Sequence, residues 1–285
     1  MLIITPFDSL TCPLDHQPLQ RDGAWWRCAS GHTFDVSRDG YTHLLPVQNK
    51  RSRDPGDSKE MVAARRRFLG AGCYEPIAIA VSRAVLCDAI SRADLSCLDA
   101  GCGEGYYLRE LVAAESDVGS LALLGLDISK WAVLSAAKQD KRVCWVVGSN
   151  ANLPVESHTL DRVLCMFGFP VYAEFLRVLK PEGLLIQVDS GADHLRELRE
   201  IIYPTLKPER AEETPVPQGF SRVSTETVRF ALALNGAEQI ADLLAMTPHL
   251  YRATAEGRAR AAALTNLVAT VDVRLTTLRV DDMAG

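Results

Sequence analysis

Residues 98–107 read Leu-Asp-Ala-Gly-Cys-Gly-Glu-Gly-Tyr-Tyr, an apolar run that ends on Asp99 and continues into glycines at 101, 103 and 105. Three glycines at alternate positions, between a predicted strand and a predicted helix, leave few folds open. Without Cβ atoms at Gly101, Gly103 and Gly105 the turn can take left-handed angles and bring its backbone close to a ligand. The spacing is not the G-x-G-x-x-G of a pyrophosphate site, and carboxylates stand at Asp99 and Glu104. Such a loop suits a cationic ligand.

A second acidic residue, Asp127, closes the run Leu121–Leu126 about twenty residues after Gly105, where the next strand of a doubly wound sheet would grip ribose hydroxyls. Ribose plus cation points to S-adenosylmethionine. A dinucleotide-binding Rossmann domain with an irregular glycine loop is the alternative. From Leu95 onward predicted strands and helices alternate with short connections: strands to Asp99, over Leu121–Leu126, Val143–Val147, Leu160–Phe167 and Gly183–Val188, with helices between them. That order means an α/β fold, a doubly wound parallel sheet. A strand from Ser221, a helix over Ala237–Ala245 and a strand over Val271–Leu278 would complete it with an antiparallel edge.

The segment before Leu45 has a different character. Cys12-Pro-Leu-Asp15-His16 and Cys28-Ala-Ser-Gly-His32 are two turns bearing metal-ligand residues, spaced as in a four-ligand zinc ribbon with Asp15 where a second cysteine normally sits. His16 could replace Asp15, but neighbours in a turn rarely enter one coordination sphere. The alternative is a metal-free ribbon kept in shape by docking, because a segment this small holds little core of its own. The expected division is a ribbon-like domain over 1–45, a basic loop with linking helices over 46–94, and a cofactor-binding domain over 95–285. Ser58 is the expected N-cap of a helix through Gly70, and a second helix should run from Pro76 to Ser91.

At 285 residues, nearly half of them hydrophobic, the chain can bury a sizeable core, and no run is long enough to span a bilayer. A cytoplasmic place, no membrane partner and reduced thiols for the eight cysteines are expected. The net charge of −5 argues against a chain coated for nonspecific DNA or RNA binding. Between Gln48 and Phe68, however, Lys50, Arg51, Arg53, Lys59, Arg65, Arg66 and Arg67 face only Asp54, Asp57 and Glu60. This is either a phosphate-contacting face or a solvated helix face.

The Cys/His ribbon, the stretch Gly40-Tyr-Thr-His-Leu-Leu-Pro-Val-Gln-Asn-Lys-Arg-Ser-Arg-Asp-Pro-Gly-Asp57, and Leu98–Tyr107 together resemble the bacterial 23S rRNA guanine-N1-methyltransferases. The resemblance implies a class I methyltransferase with an N-terminal zinc ribbon, S-adenosylmethionine as methyl donor, 23S rRNA rather than DNA as partner, and a homodimer. It implies that Tyr74, Gly103, Glu104 and His194 contact the cofactor, that Asp127 holds its ribose, and that zinc falls on Cys12, Asp15, Cys28 and His32. Ser149 and Asn150 stand where the wider class often has an aspartate for the adenine amino group. The end of the fourth strand of the sheet, Phe167-Gly-Phe-Pro170, lacks the side-chain acceptor of amino-group methyltransferases and fits a ring nitrogen; Phe167 or Phe169 would stack on a flipped base or simply pack the strand end. Asp189 is a candidate proton acceptor or a helix cap, and no catalytic base is assigned. A small-molecule methyltransferase and an RNA-binding module with a vestigial cofactor site are the competing readings.

Overall fold

The structure is a computed structural model and describes residues 3–49, 52, 54–87, 94–114, 119–206 and 215–281. First come β1 (Ile3–Pro6), the short ribbon strands β2 (Gln20–Asp22), β3 (Trp25–Arg27) and β4 (Thr33–Asp35), then β5 (Tyr41–His43). Helices α1 (Lys59–Gly70) and α2 (Glu75–Leu86) lead into an alternation of β6 (Asp94–Ala100), α3 (Tyr106–Ala113), β7 (Ser120–Asp127), α4 (Lys130–Gln139) and β8 (Cys144–Val147). It continues through β9 (Leu160–Met166), α5 (Tyr172–Val178), β10 (Leu179–Ser190) and α6 (Arg196–Ile202). The last elements are β11 (Phe220–Asn235), α7 (Ala237–Ala245), α8 (His249–Arg252), α9 (Ala255–Ala262) and β12 (Asn266–Val280).

The apolar runs of β6 to β10 pair in parallel, the short β5 joins β8 in parallel, and the β11–β12 hairpin adds an antiparallel edge beside β10. The order is β11-β12-β10-β9-β6-β7-β8-β5. Parallel strands buried on both faces read as continuous apolar runs, which is why they are visible in the sequence. Side chains alternate between faces. Leu95, Cys97, Trp145, Leu164, Met166 and Val188 join the core under α1–α4, α6, α7 and α9, whereas Leu98, Leu126, Val163, Cys165 and Leu185 meet α5 and the ribbon.

Local chemistry places the helices. Ser58 and Ser129 accept backbone N–H bonds from Met61 and Ala132 as N-caps of α1 and α4. The buried Arg162 of β9 donates to the carbonyls of Val85 and Cys87, satisfying the end of α2 with a cation. The expected α2 extends to Ser91; the helix ends at Leu86, and 88–93 lie outside the described residues.

Hydrogen bonding crosses the boundary expected at residue 45. Ile3–Pro6 pair with the first half of β7, and Tyr41–His43 extend the large sheet beyond β8, so the ribbon is an insertion between two sheet strands. Neither β1, nor α8 and α9, is among the elements expected from the sequence. No single helix among the described residues is long and apolar enough to cross a membrane.

Gly125 of β7 lies under the Trp145 ring, where a Cβ would overlap the ring carbons. Gly125→Ala should lower the unfolding free energy in urea by about 1–3 kcal/mol, and adding Trp145→Leu should recover part of that loss.

Candidate functional site

The glycine loop is held from the end of β7. The N–H groups of Gly101 and Cys102 both donate to the Leu126 carbonyl, at 2.8 and 2.9 Å. Gly103 N–H donates to Asp127 Oδ2 at 2.9 Å, and Ser129 N–H to the other oxygen at 2.7 Å. Gly101, Gly103 and Gly105 all take positive φ, and a Cβ at Gly105 would press on Trp145 and Ala136. All three glycines serve the turn, and Gly105 serves its packing as well.

Asp99 is fully buried at the end of β6, and neither carboxylate oxygen has a hydrogen-bond partner among the described residues. Burial first, and then the charge of Asp127, push its carboxyl up to about 8. Burial raises Asp127 as well, against the two N–H groups it accepts. Asn150 donates to the Ala100 carbonyl at 3.3 Å while its buried oxygen is also unpartnered among the described residues. Ser149 Oγ accepts from Ala151 N–H. Orphaned acceptors at these points fit a ligand carrying an ammonium and amino or hydroxyl donors. S-adenosylmethionine has that donor set, and Asp99, Asp127 and Asn150 are the residues that would hold it.

Glu104 has another employment. Its buried carboxylate pairs with Arg109 at 2.9 Å and accepts from Gln139 at 2.7 Å, so only its backbone belongs to the loop. Across the loop, Tyr74, Phe167 and His194 form one aromatic cluster with ring centroids 5.8–6.2 Å apart. His194 Nδ1 accepts Asp272 N–H at 3.3 Å, which leaves Nε2 to carry the proton, 3.5 Å from the Tyr74 hydroxyl. Burial above all holds its pKa down, at about 4. Phe167 takes φ 53°, a strained angle for a phenylalanine, and Phe169 is 90% exposed.

Arg65 lies over Gly103, pairs with Asp57 at 2.7 Å and donates to the Met246 carbonyl. The cleft beside it measures about 50 Å³, and Arg65 is one of its lining side chains. Sequence reasoning places Arg65 on the outer face of α1 and misses it as a cleft residue. Arg67 is likewise committed, to Asp242 at 2.9 Å, while Arg66 is exposed. Lys50, Arg51 and Arg53 lie outside the described residues.

In the ribbon, Cys12, Asp15, Cys28 and His32 converge, with one ligand atom from each within 4.8 Å of the others. His32 Nδ1 stands 3.1 Å from Asp15 Oδ2 and 3.5 and 3.4 Å from the Cys12 and Cys28 sulfurs. Ligand atoms about 2.0–2.3 Å from a tetrahedral zinc lie about 3.3–3.8 Å apart, so this donor set fits the ion. Asp15, not His16, joins the cluster. The ribbon core is continuous with the sheet: Trp26, Leu10 and Leu19 share a core with Leu98, Leu124 and Phe175.

Comparison with known proteins agrees with both parts of the chain. Residues 10–53 match the family described as RlmA, N-terminal, a zinc ribbon, and residues 97–183 match the family described as methyltransferase domain. The 23S rRNA (guanine(748)-N(1))-methyltransferase of Streptomyces fradiae is 31% identical over 256 residues, 88% of this chain and 89% of its own. YxjB of Bacillus subtilis (strain 168), provisionally named a 23S rRNA (guanine-N(1)-)-methyltransferase, is 32% identical over 87% of this chain and 88% of its own. A protein of Micromonospora griseorubida with the same provisional name is 35% identical over 95% of this chain and 97% of its own.

Two outcomes follow from this geometry. Below pH 8 Asp99 is protonated, and an ammonium set against it favours the anion. Calorimetry in buffers of different ionisation enthalpy should therefore detect about one proton released per S-adenosylhomocysteine bound at pH 6.5, and none with Asp99→Asn. Elemental analysis should find about one zinc per chain, lost in Cys28→Ser and held more tightly in Asp15→Cys.

Proposed function

The chain belongs to the 23S rRNA (guanine-N(1))-methyltransferase family, and from that membership we propose that it moves a methyl group from S-adenosylmethionine to N1 of a guanine in 23S rRNA. The observation that carries this reading at the site is the orphaned Asp99 carboxylate beside the exposed Phe167–Pro170 loop. It joins a cation-binding cradle to an aromatic platform at the carboxyl ends of adjacent strands.

S-adenosylmethionine supplies, when bound, a methyl made electrophilic by its sulfonium. The work of the chain is binding, orientation and exclusion of water. Asp127 and the glycine loop fix one end of the ligand and Asp99 the other. Phe169, almost wholly exposed, is placed to stack on an extruded base, an interaction worth about 1–3 kcal/mol. The 167–170 loop offers no side-chain acceptor, so an exocyclic amine would find no partner there, whereas a ring nitrogen needs none. The proton on guanine N1 must leave; His194 does not take it, because its Nδ1 already accepts a backbone N–H and its Nε2 is protonated. Solvent remains the acceptor in this reading.

The ribbon belongs to the proposal as the part that grips rRNA, in a homodimer whose two ribbons flank the cleft, at work in the cytoplasm. A small-molecule methyltransferase has no use for it.

Primer extension on 23S rRNA tests the reading, because a methyl on guanine N1 blocks pairing and stops the polymerase. A stop should be present with the wild-type chain, absent from the deletion strain, and not restored by Asp127→Ala. A chain that binds the cofactor yet changes no stop would refute the rRNA substrate.

A further inference from the structure

A second cavity, of about 270 Å³, opens on the face of the sheet that carries α5 and the ribbon. Its floor is β10 and β12, where Asp189 and Arg274 are direct antiparallel partners and Gln187 faces Thr276. Tyr172 of α5 forms one wall and the strap Pro215–Pro217 another. The loop 167–170 borders both spaces: Phe167, just past β9, lines the cofactor cleft, and Tyr172, just beyond the loop, lines the cavity.

The polar groups in this cavity are ordered. Tyr172 O–H donates to Gln187 Oε1 at 3.1 Å, and Gln187 N–H donates to Asp189 Oδ2 at 2.7 Å. This relay holds one oxygen of the Asp189 carboxylate, and the other accepts no hydrogen bond among the described residues of this cavity's lining. Arg274 lies across from it with no ion pair between the two among the described residues. A carboxylate and a guanidinium on one cavity floor, neither closed on the other, offer an acceptor and a donor to a single planar ligand.

We propose that this cavity receives the acceptor guanine, with Asp189 taking the exocyclic N2 amino group and Arg274 donating to O6. The assignment rests on the rRNA reading above. Guanine carries its N2 donors and O6 acceptor on either side of N1, so these contacts hold both flanks and leave N1 clear for the incoming methyl. Adenine has no amino group at C2 for Asp189 and presents a donor where Arg274 also donates, so the pair rejects it. A guanidinium at O6 also stabilises the negative charge that grows there as the N1 proton leaves. Burial raises the Asp189 carboxyl, opposed by Gln187 and Arg274, in keeping with a group desolvated for binding.

The test uses the full chain and 23S transcripts in which the guanosine mapped by the primer-extension stop is replaced by inosine, which lacks only the N2 amino group. The wild type should prefer guanosine by about tenfold to a hundredfold in kcat/KM, the range for a hydrogen bond to a charged group. Asp189→Ala should bring that ratio close to one with cofactor affinity unchanged, and Arg274→Met should slow both substrates equally, because both keep O6. If the alanine variant fails to bind S-adenosylhomocysteine, Asp189→Leu, which keeps the volume and removes every acceptor, replaces it, and the ratio should fall there too. A guanosine preference that survives in either Asp189 variant, with or without an equal loss on both substrates, overturns the pocket assignment alone. No stop with the wild-type chain overturns the rRNA reading and this assignment together.

Discussion

The Asp127 carboxylate is the joint on which the cofactor side of the molecule turns. One of its oxygens accepts the Gly103 N–H and the other the Ser129 N–H, so a single side chain shapes the glycine loop after β6 and the turn that starts α4. Charge-assisted bonds to backbone are among the stronger ones available, and here they are made where burial disfavours the charge they need. The same turn accepts a third element. Ser129 Oγ donates to the Asp57 carbonyl, and Gly56 lies so close that a Cβ would strike Ser129 and Ile128. The loop after the ribbon, the glycine loop and α4 thus meet at one point.

Around that joint the site is short of positive charge. Asp99 is buried and Asp127 half-buried, and the nearby cation, Arg65, is shared with Asp57. Two carboxylates in low dielectric repel each other, which adds to burial in letting Asp99 keep its proton to about pH 8. A cationic ligand relieves this repulsion, whereas a neutral ligand of the same shape would not. The arrangement selects for charge as well as for fit.

What can be read in the sequence is local. The glycine spacing, the acids that end β6 and β7, the serine caps at 58 and 129 and the strand-helix alternation each depend on a few neighbouring residues, and each is found where expected. What cannot be read depends on partners far along the chain. Glu104 lies in the motif, but Gln139 helps decide where its carboxylate points. The arginines of α1 look like a free basic face until Asp57, Asp242 and the Met246 carbonyl claim two of them. The surroundings of Asp189 leave no local trace, because Arg274 reaches it only through strand register 85 residues later. The sheet pairing of β1 and β5 escapes notice because strands of four and three residues hold too little pattern to show which neighbour they join.

The insertion of the ribbon between those two short strands has a mechanical consequence. An isolated ribbon would lean on its metal alone, whereas this one also buries Trp26, Leu10 and Leu19 in the core shared with α5 and the sheet. Leu10 is bridged to Val155, and Thr11 N–H donates to the Pro154 carbonyl. Metal and docking would then have separate roles. A bound metal would tie the two turns that carry Cys12 and Cys28, while the shared core sets where those turns stand relative to the strand ends. Loss of the ion should then loosen the turns while the sheet and its cofactor loop persist, since none of the four ligands lies in the contacts that hold Asp127 or Gly103. Asp57 follows β5 in the chain and its carbonyl accepts from Ser129 Oγ, so the part of the chain that follows the ribbon also touches the turn that holds the glycine loop.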